Sequence, residues 1–464
     1  MKKRIEAIYE RLPSSMQHVA VSAYGYRRRN QRLGGRFAHY RRGFVEREGS
    51  THEEWRTWQE HRLREMLHLA AETPFYREAF RDVGLSAEAL DRFELKDLQS
   101  IPLLSKEDVR RDPTALCPGG SPGAGRPYST SGSTGSPLML YHSNDDVRRW
   151  YAMVEARYES FVGVTYRDPR ATFSGRHIGA GLDSRGPFHR YNLAERQLYF
   201  SPYHLGPATA ATYVEALQKH RPVWMTGYAG AIHELARLAL QQGLACPPLK
   251  AVITSAEPVT PRVRADVQEA FGCRVTEEYG LIEGVCCALE CEHGSRHISP
   301  DAGIVEILDG SGRPCPPGEV GEIVATGLVH ESQIYLRYRT GDLASWADRE
   351  CACGRAMPVL GEVEGRVNDV VVCPDGRRVG RLTSVARELP GIGAMQFVQD
   401  RPDRVIARVV AEGILEPDVS VEIERRLADR LGAGIQIDVE QADSLERTER
   451  GKVRSVINTV EQGI

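Results

Sequence analysis

Residues 128–137 read Tyr-Ser-Thr-Ser-Gly-Ser-Thr-Gly-Ser-Pro, with Ser131, Gly132, Ser133, Thr134 and Gly135 at the centre. Closely spaced hydroxyls and glycines let a loop turn many donors toward one point, because glycine tolerates tight turns and permits close approach. Such a loop can hold phosphate oxygens. The same composition also makes an ordinary linker, and no Gly-Lys-Ser/Thr ending marks a Walker loop. A second group of residues has metal-ligand chemistry: Cys291 and His297, then Cys351 and Cys353 on a tight turn far downstream. A Cys₃His set suits tetrahedral zinc, although Cys-x-Cys is narrower than the usual Cys-x₂-Cys. His293 competes with His297, and Cys286 or Cys287 with Cys291; unrelated buried thiols and a surface imidazole are the alternative.

The elements that must position these groups alternate along the middle of the chain. The loop runs into a strand at Leu138, Met139, Leu140 and Tyr141. Apolar residues at helical spacing follow over 145–161 (Val147, Trp150, Met153, Val154, Tyr158, Phe161), and Ser143 with Asp146 forms a capping-box start. Further helices are expected over 207–220, 231–242 and 261–271, the last opened by Pro261 and stopped by Gly272. Strands are expected between them, over 222–227, 249–255 and 274–279. This alternation implies a parallel sheet with right-handed crossovers. Ligands then gather at the carboxyl ends of the strands. Two such ends are Ser255-Ala256-Glu257-Pro258 and Tyr279-Gly280-Leu281-Ile282-Glu283. Upstream, a helix over 52–72 ends at Thr73-Pro74.

Past Gly365-Arg366-Val367-Asn368-Asp369 the character changes to short strands, a Pro374-Asp375-Gly376 turn and one amphipathic helix over 419–431. We read a large α/β domain over 1–367, with a basic N-terminal arm over 1–50, and a small α+β domain over 368–464. Arg27, Arg28, Arg29, Arg32, Arg36, Arg41 and Arg42 crowd the arm. They form either a face for anionic partners, including weak contact with a membrane surface, or a helical arm lying on the main domain. No aromatic interleaving argues for nucleic acid.

With 464 residues the chain exceeds one ordinary core, and its net charge of −3 is close to neutral. No apolar stretch approaches the roughly 20 residues of a membrane helix. No apolar segment or cleavage site follows the basic start, so no signal peptide is expected. Ten unevenly clustered cysteines point to a cytoplasmic protein rather than a disulfide scaffold.

Six stretches together resemble one family. They are the Ser-Gly-Ser-Thr-Gly loop, Ser255-Ala256-Glu257-Pro258, Tyr279-Gly280-Leu281-Ile282-Glu283, Tyr338-Arg339-Thr340-Gly341-Asp342, Gly365-Arg366 and Gly451-Lys452. Their order and spacing are those of the adenylate-forming ligases, over nearly the whole chain. The Ala-Glu-Pro signature and the Cys/His inserts resemble the phenylacetate–CoA ligase branch. The basic arm, Tyr24-Gly25-Tyr26 and Thr73-Pro74-Phe75-Tyr76 are closer still to relatives linked to capsular polysaccharide synthesis.

The resemblance implies a two-step reaction. A small carboxylic acid attacks the α-phosphorus of ATP, giving an acyl-adenylate and pyrophosphate; coenzyme A, or an amine in the alternative, then displaces AMP. It also implies the residue roles. Ser131 to Gly135 cradle the β- and γ-phosphates, and Glu283 holds Mg²⁺. Tyr279 stacks on adenine, in a pocket lined by Ser255, Ala256, Glu257 and Pro258 and by Glu278 and Gly280. Asp342 takes the ribose hydroxyls, Arg366 stands near the α-phosphate, and Lys452 neutralises α-phosphate charge in the first step. Relatives with a similar insert carry a structural metal, which favours Zn²⁺ at Cys291, His297, Cys351 and Cys353. The C-terminal domain would swing as a lid about Asn368. Singly, Asp342 could merely cap its Thr-Gly turn and Arg366 could be a surface ion pair. Two positions depart from the family: Ser136 where Lys is common, and Ile282 where a hydroxyl is usual. A non-catalytic nucleotide-binding protein would fit those losses, but Lys452, Asp342 and Glu283 all remain.

Overall fold

A computed structural model describes residues 9, 12–129, 138–173, 186–257, 259–366, 369, 371–375, 378–380, 382, 385, 389–411, 413–432, 434–446 and 453–460. The hairpin of β1 (Arg126–Ser129) and β2 (Met139–His142) carries the Ser/Thr/Gly loop between its strands. The loop itself, residues 130–137, lies outside the described residues, as do Pro258, Asn368, Gly451 and Lys452.

The large sheet has twelve strands. In chain order they are β3 (Arg170–Phe173), β4 (His189–Asn192), β5 (Gln197–Phe200), β6 (Trp224–Tyr228), β7 (Ala251–Ser255), β8 (Val275–Gly280) and β9 (Cys287–Glu290). Then come β10 (Arg296–Ile298), β11 (Gly303–Leu308), β12 (Gly321–Gly327), β13 (Tyr338–Trp346) and β14 (Val359–Arg366). The spatial order is β11-β12-β13-β14-β10-β9-β8-β7-β6-β3-β5-β4. From β5 to β8 the pairing is parallel, as the alternation predicts. Everything beyond β8 is antiparallel, so the sheet is mixed. The physical reason lies in the connections: helices separate β5, β6, β7 and β8, whereas short turns join β8, β9 and β10.

Local signals account for the helix ends. Ser143 Oγ accepts from Asp146 N (3.1 Å) and Asp146 Oδ2 accepts from Ser143 N (2.9 Å), which starts the helix Asn144–Val162. Asp146 Oδ1 also accepts from Glu331 N (2.8 Å), tying this helix to the segment after β12. Pro261–Phe271 begins on a Thr260 cap and stops at Gly272 in the left-handed region. The helix expected from Pro207 begins at Ala210 instead. Thr209 Oγ1 accepts from Gly206 N and donates to the His204 carbonyl, so its side chain closes a turn where the helix would have started. Thr73-Pro74 ends one helix and opens the next, Pro74–Asp82, with Pro in the first turn.

The basic arm forms the helices Ser14–Leu33 and Phe37–Glu46, packed along the edge strand β4 and the helix Asn144–Val162. Tyr191 N donates to His18 Nδ1 (2.9 Å) and Leu193 N donates to Ser22 Oγ (3.1 Å), which covers an exposed sheet edge. Arg32 pairs with buried Glu195, and Arg41 with Glu155 and Glu159. Part of the arm's charge is therefore spent within the fold. Among the described residues no helix is long and apolar enough to cross a membrane.

The C-terminal part builds its own sheet, ordered Gln436–Gln441, Arg404–Ala411, Ile392–Arg401, Val456–Asn458. The helix Pro417–Leu431 covers it through Ile423, Leu427 and Leu431, packed on Phe397, Val405 and Val409.

Candidate active site at the carboxyl end of the parallel strands

Tyr279 stands near the end of β8, and its hydroxyl donates to Asp342 Oδ2 at 3.0 Å. Asp342 lies in β13 directly opposite Arg366 of β14, with Arg366 Nε 3.5 Å from Asp342 Oδ1. The Thr-Gly turn does not use the Asp342 carboxylate: Asp342 N donates to Thr340 Oγ1, and Thr340 donates onward to the Ile323 carbonyl. Tyr279 and Arg366 both meet the carboxylate, which places three sequence-predicted residues in one group.

Glu283 follows in the turn after β8 and is only 5 % exposed. The Tyr338 hydroxyl donates to Glu283 Oε1 (2.9 Å). Burial raises this carboxyl above its ordinary range, while Tyr338 and Lys106 act in the opposite direction. The turn is pinned by His330, whose Nδ1–H donates to the Glu283 carbonyl (3.2 Å). It also needs Gly284, where φ is +70° and a Cβ would lie 2.1 Å from the His330 ring. His330 in turn meets His142 of β2 with ring centroids 4.3 Å apart. The hairpin that carries the Ser/Thr/Gly loop is thereby joined to the turn that carries Glu283.

One cation of the site is absent from the sequence reading. Lys106 opens the short helix Lys106–Arg111, started by a Ser105–Asp108 capping box. Leu104 N donates to the Arg337 carbonyl and Arg339 N to the Leu104 carbonyl, which fastens this segment to the start of β13. The Lys106 side chain then lies beside Gly341, with its charge felt by Asp342 and Glu283. Burial lowers its pKa, and Arg366 adds to that; the two carboxylates oppose it. A lysine in Ser-Lys-Glu-Asp reads as an ordinary solvated helix start, so no local signal marks it as a site residue.

The remaining predicted residues divide. Ser255 ends β7, and Ala256 follows with φ +69°, a region that alanine rarely adopts. Glu257 Oε2 accepts from Gly230 N at 2.7 Å. Gly280 ends β8 opposite Cys287. Glu278 is turned away from this group. Successive strand side chains point to opposite faces, and Glu278 accepts from the Tyr158 hydroxyl on the face away from Asp342.

Cys291, His297, Cys351 and Cys353 do converge: their ligand atoms all lie within 4.8 Å of one another. Cys353 Sγ is 3.2 Å from His297 Nε2, and Cys291 Sγ is 3.5 Å from Cys351 Sγ. His297 Nδ1–H donates to the Met357 carbonyl (3.0 Å), which fixes the tautomer with Nε2 toward the thiols. His293 meets Cys291 through its backbone N–H. Cys286 is buried in another apolar cluster, and Cys287, though packed near Cys291, is not one of the converging ligand atoms. The set spans the ends of β9 and β10 and the connection that leads into β14.

Residues 194–335 match the AMP-binding enzyme family, and residues 371–459 match the CapK C-terminal domain. The chain belongs to the adenylate-forming ligases. It is an AMP-forming acid ligase of their phenylacetate–CoA ligase branch. Protein CapK of Staphylococcus aureus is 25% identical over 403 residues, covering 85% of this chain and 86% of that protein. Phenylacetate-coenzyme A ligase of Thermus thermophilus is 26% identical over 442 residues, covering 88% and 97%. A crystal structure of 2-hydroxyisobutyryl-CoA ligase in the postadenylation state aligns with TM-score 0.68 and 23% identity, over 90% of this chain and 92% of that one. Adenylate-forming ligases of this likeness share the fold: a large α/β unit followed by a small sheet unit.

Proposed function

We propose that the protein joins a small carboxylic acid to AMP and then passes the acyl group to coenzyme A. The observation that carries this reading is the convergence of Tyr279, Asp342, Arg366, Glu283 and Lys106 around the end of β8, the middle of β13 and the end of β14. Asp342 offers two carboxylate oxygens suited to paired ribose hydroxyls. Arg366 and Lys106 supply fixed positive charge where phosphate charge develops, and such preorganised donors are the main source of rate in phosphoryl chemistry. Ser131, Gly132, Ser133, Thr134 and Gly135 are assigned to the leaving phosphates and Lys452 to the α-phosphate by family resemblance. The small unit, from residue 368 onward, is assigned as the mobile lid. The choice of coenzyme A is supported by the names of the phenylacetate–CoA ligase relatives.

A buried carboxylate such as Glu283 fits Mg²⁺, which favours one or two carboxylates plus phosphate oxygens. When bound there, the ion would neutralise the β- and γ-phosphates. Glu283 must be ionised to hold it. Because burial raises its pKa, protons compete with the cation above the ordinary glutamate value of about 4.3. The acid limb of the first half-reaction should therefore move to lower pH as Mg²⁺ is increased. Pyrophosphate exchange measured against pH at two Mg²⁺ concentrations checks this; a limb indifferent to Mg²⁺ counts against Glu283 as the ligand.

Exchange of labelled pyrophosphate into ATP across a panel of carboxylic acids scores the first step without knowledge of the acceptor. With the acid so found, coenzyme A and a panel of amines are offered together and both products are sought by mass spectrometry. Thioester is expected. Amide without thioester would replace coenzyme A by an amine acceptor, since an activated carbonyl reacts with whichever nucleophile is placed against it. No exchange with any acid would overturn the ligase reading.

A further inference from the structure

Glu257 joins three parts of the molecule. Its Oε2 accepts from Gly230 N (2.7 Å) in the first turn of the helix Ala229–Gln241. Its Oε1 accepts from Val453 N (3.2 Å), on the far side of the junction between the large and small units. Val453 is the residue immediately after Lys452. The carboxylate is presented by Ala256 in the left-handed backbone region (φ +69°), a strained conformation kept only where its surroundings hold it. A side chain that merely lined a nucleotide pocket through its backbone would not need a carboxylate with both oxygens engaged by N–H groups from opposite units.

We propose that Glu257 is a positioning residue for adenylation: its carboxylate grips the backbone beside Lys452 and sets the small unit against the large one for the first half-reaction. The proposal rests on the assignment of Lys452 to that step. The grip suits a reversible latch. A carboxylate-to-amide hydrogen bond is charge-assisted and directional, yet this one joins the units through a single backbone N–H and can be broken without unfolding either. Glu257→Gln keeps the shape and one acceptor but turns the other oxygen into a donor facing an N–H, so one of the two bonds is lost.

The test separates the half-reactions in Glu257→Gln and wild type. Acid-dependent pyrophosphate exchange should fall on the order of tenfold to a hundredfold, the effect of slightly misplacing a reacting group. Consumption of added acyl-adenylate by the acceptor should fall far less, so the ratio of the two rates changes. Equal losses in both, or a raised KM for the acid alone, would make Glu257 a structural or pocket residue and overturn the proposal. Amide hydrogen exchange provides a second readout independent of catalysis. The peptide containing Val453 should exchange faster in the variant, at unchanged melting temperature; equal protection in the two proteins would also overturn the latch. A wild type that activates no acid refutes the ligase reading, while the exchange at Val453 still decides whether the contact exists.

Discussion

Lys106→Met should lower acid-dependent pyrophosphate exchange by about a hundredfold, the loss usual for one donor aimed at developing charge. The melting temperature should stay the same or rise slightly. Methionine keeps the aliphatic stem beside Gly341 and removes only the ammonium. That ammonium is poorly housed: burial outweighs the attraction of Asp342 and Glu283 and lowers its pKa. A half-buried charge that its surroundings do not favour is retained for chemistry rather than stability. Its loss also leaves Glu283 facing Asp342 without the intervening cation, so the acid limb of exchange should move to higher pH than in wild type. Lys452→Ala should cost about as much or more in the same assay, again without change in melting temperature. If both lysines act on the same phosphate charge, the double variant loses less than the product of the two single losses. Unchanged exchange in Lys106→Met would remove that residue from the machinery; unchanged exchange in Lys452→Ala would remove the C-terminal cation.

Where one residue type decides local geometry, the sequence was read to within a residue or two. The helix Pro261–Phe271 has proline in its first turn, a threonine cap before it and a left-handed glycine after it, and each signal is local. Ser143 and Asp146 start Asn144–Val162 by the reciprocal bonds that their spacing implies. The carboxyl ends of β7 and β8 followed from the strand–helix alternation, while the roles of Glu283 and Tyr279 there come from the family resemblance. What escaped depends on contacts distant in sequence. Glu278 reads as part of a continuous motif with Tyr279, but a strand sends neighbours to opposite faces, and Tyr158 claims the Glu278 carboxylate. Lys106 enters the site because Leu104 hydrogen-bonds with the backbone at Arg337 and Arg339, a pairing that no local pattern announces. The antiparallel half of the sheet was hidden for a similar reason. Its strands are polar in places and joined by turns and loops, whereas helices that advertise themselves separate β5, β6, β7 and β8.

Replacing both Cys351 and Cys353 by serine should strip zinc from the protein and destabilise it by about 3 kcal/mol or more, which in a domain this large is a fall of about 4 °C or more in melting temperature. The expectation rests on the donor set. Three sulfurs and His297 Nε2 already lie within 4.8 Å of one another, the size of a tetrahedral zinc shell, and the Met357 carbonyl holds the imidazole in the ligating tautomer. With no open position in a four-ligand shell, such an ion would be structural. It would fasten the connection leading into β14 onto β9 and β10, and β14 carries Arg366 at its other end. Loss of zinc should therefore loosen Arg366 and lower exchange as a consequence of stability, unlike the lysine variants, which act on rate alone. Elemental analysis of protein prepared without chelator should give close to one zinc per chain. Cys246→Ser, at a thiol remote from the four, should keep both the metal and the melting temperature. Wild-type protein that melts the same before and after its metal is stripped would leave the four side chains as packing without an ion, because a closed zinc site cannot be emptied without cost to the fold.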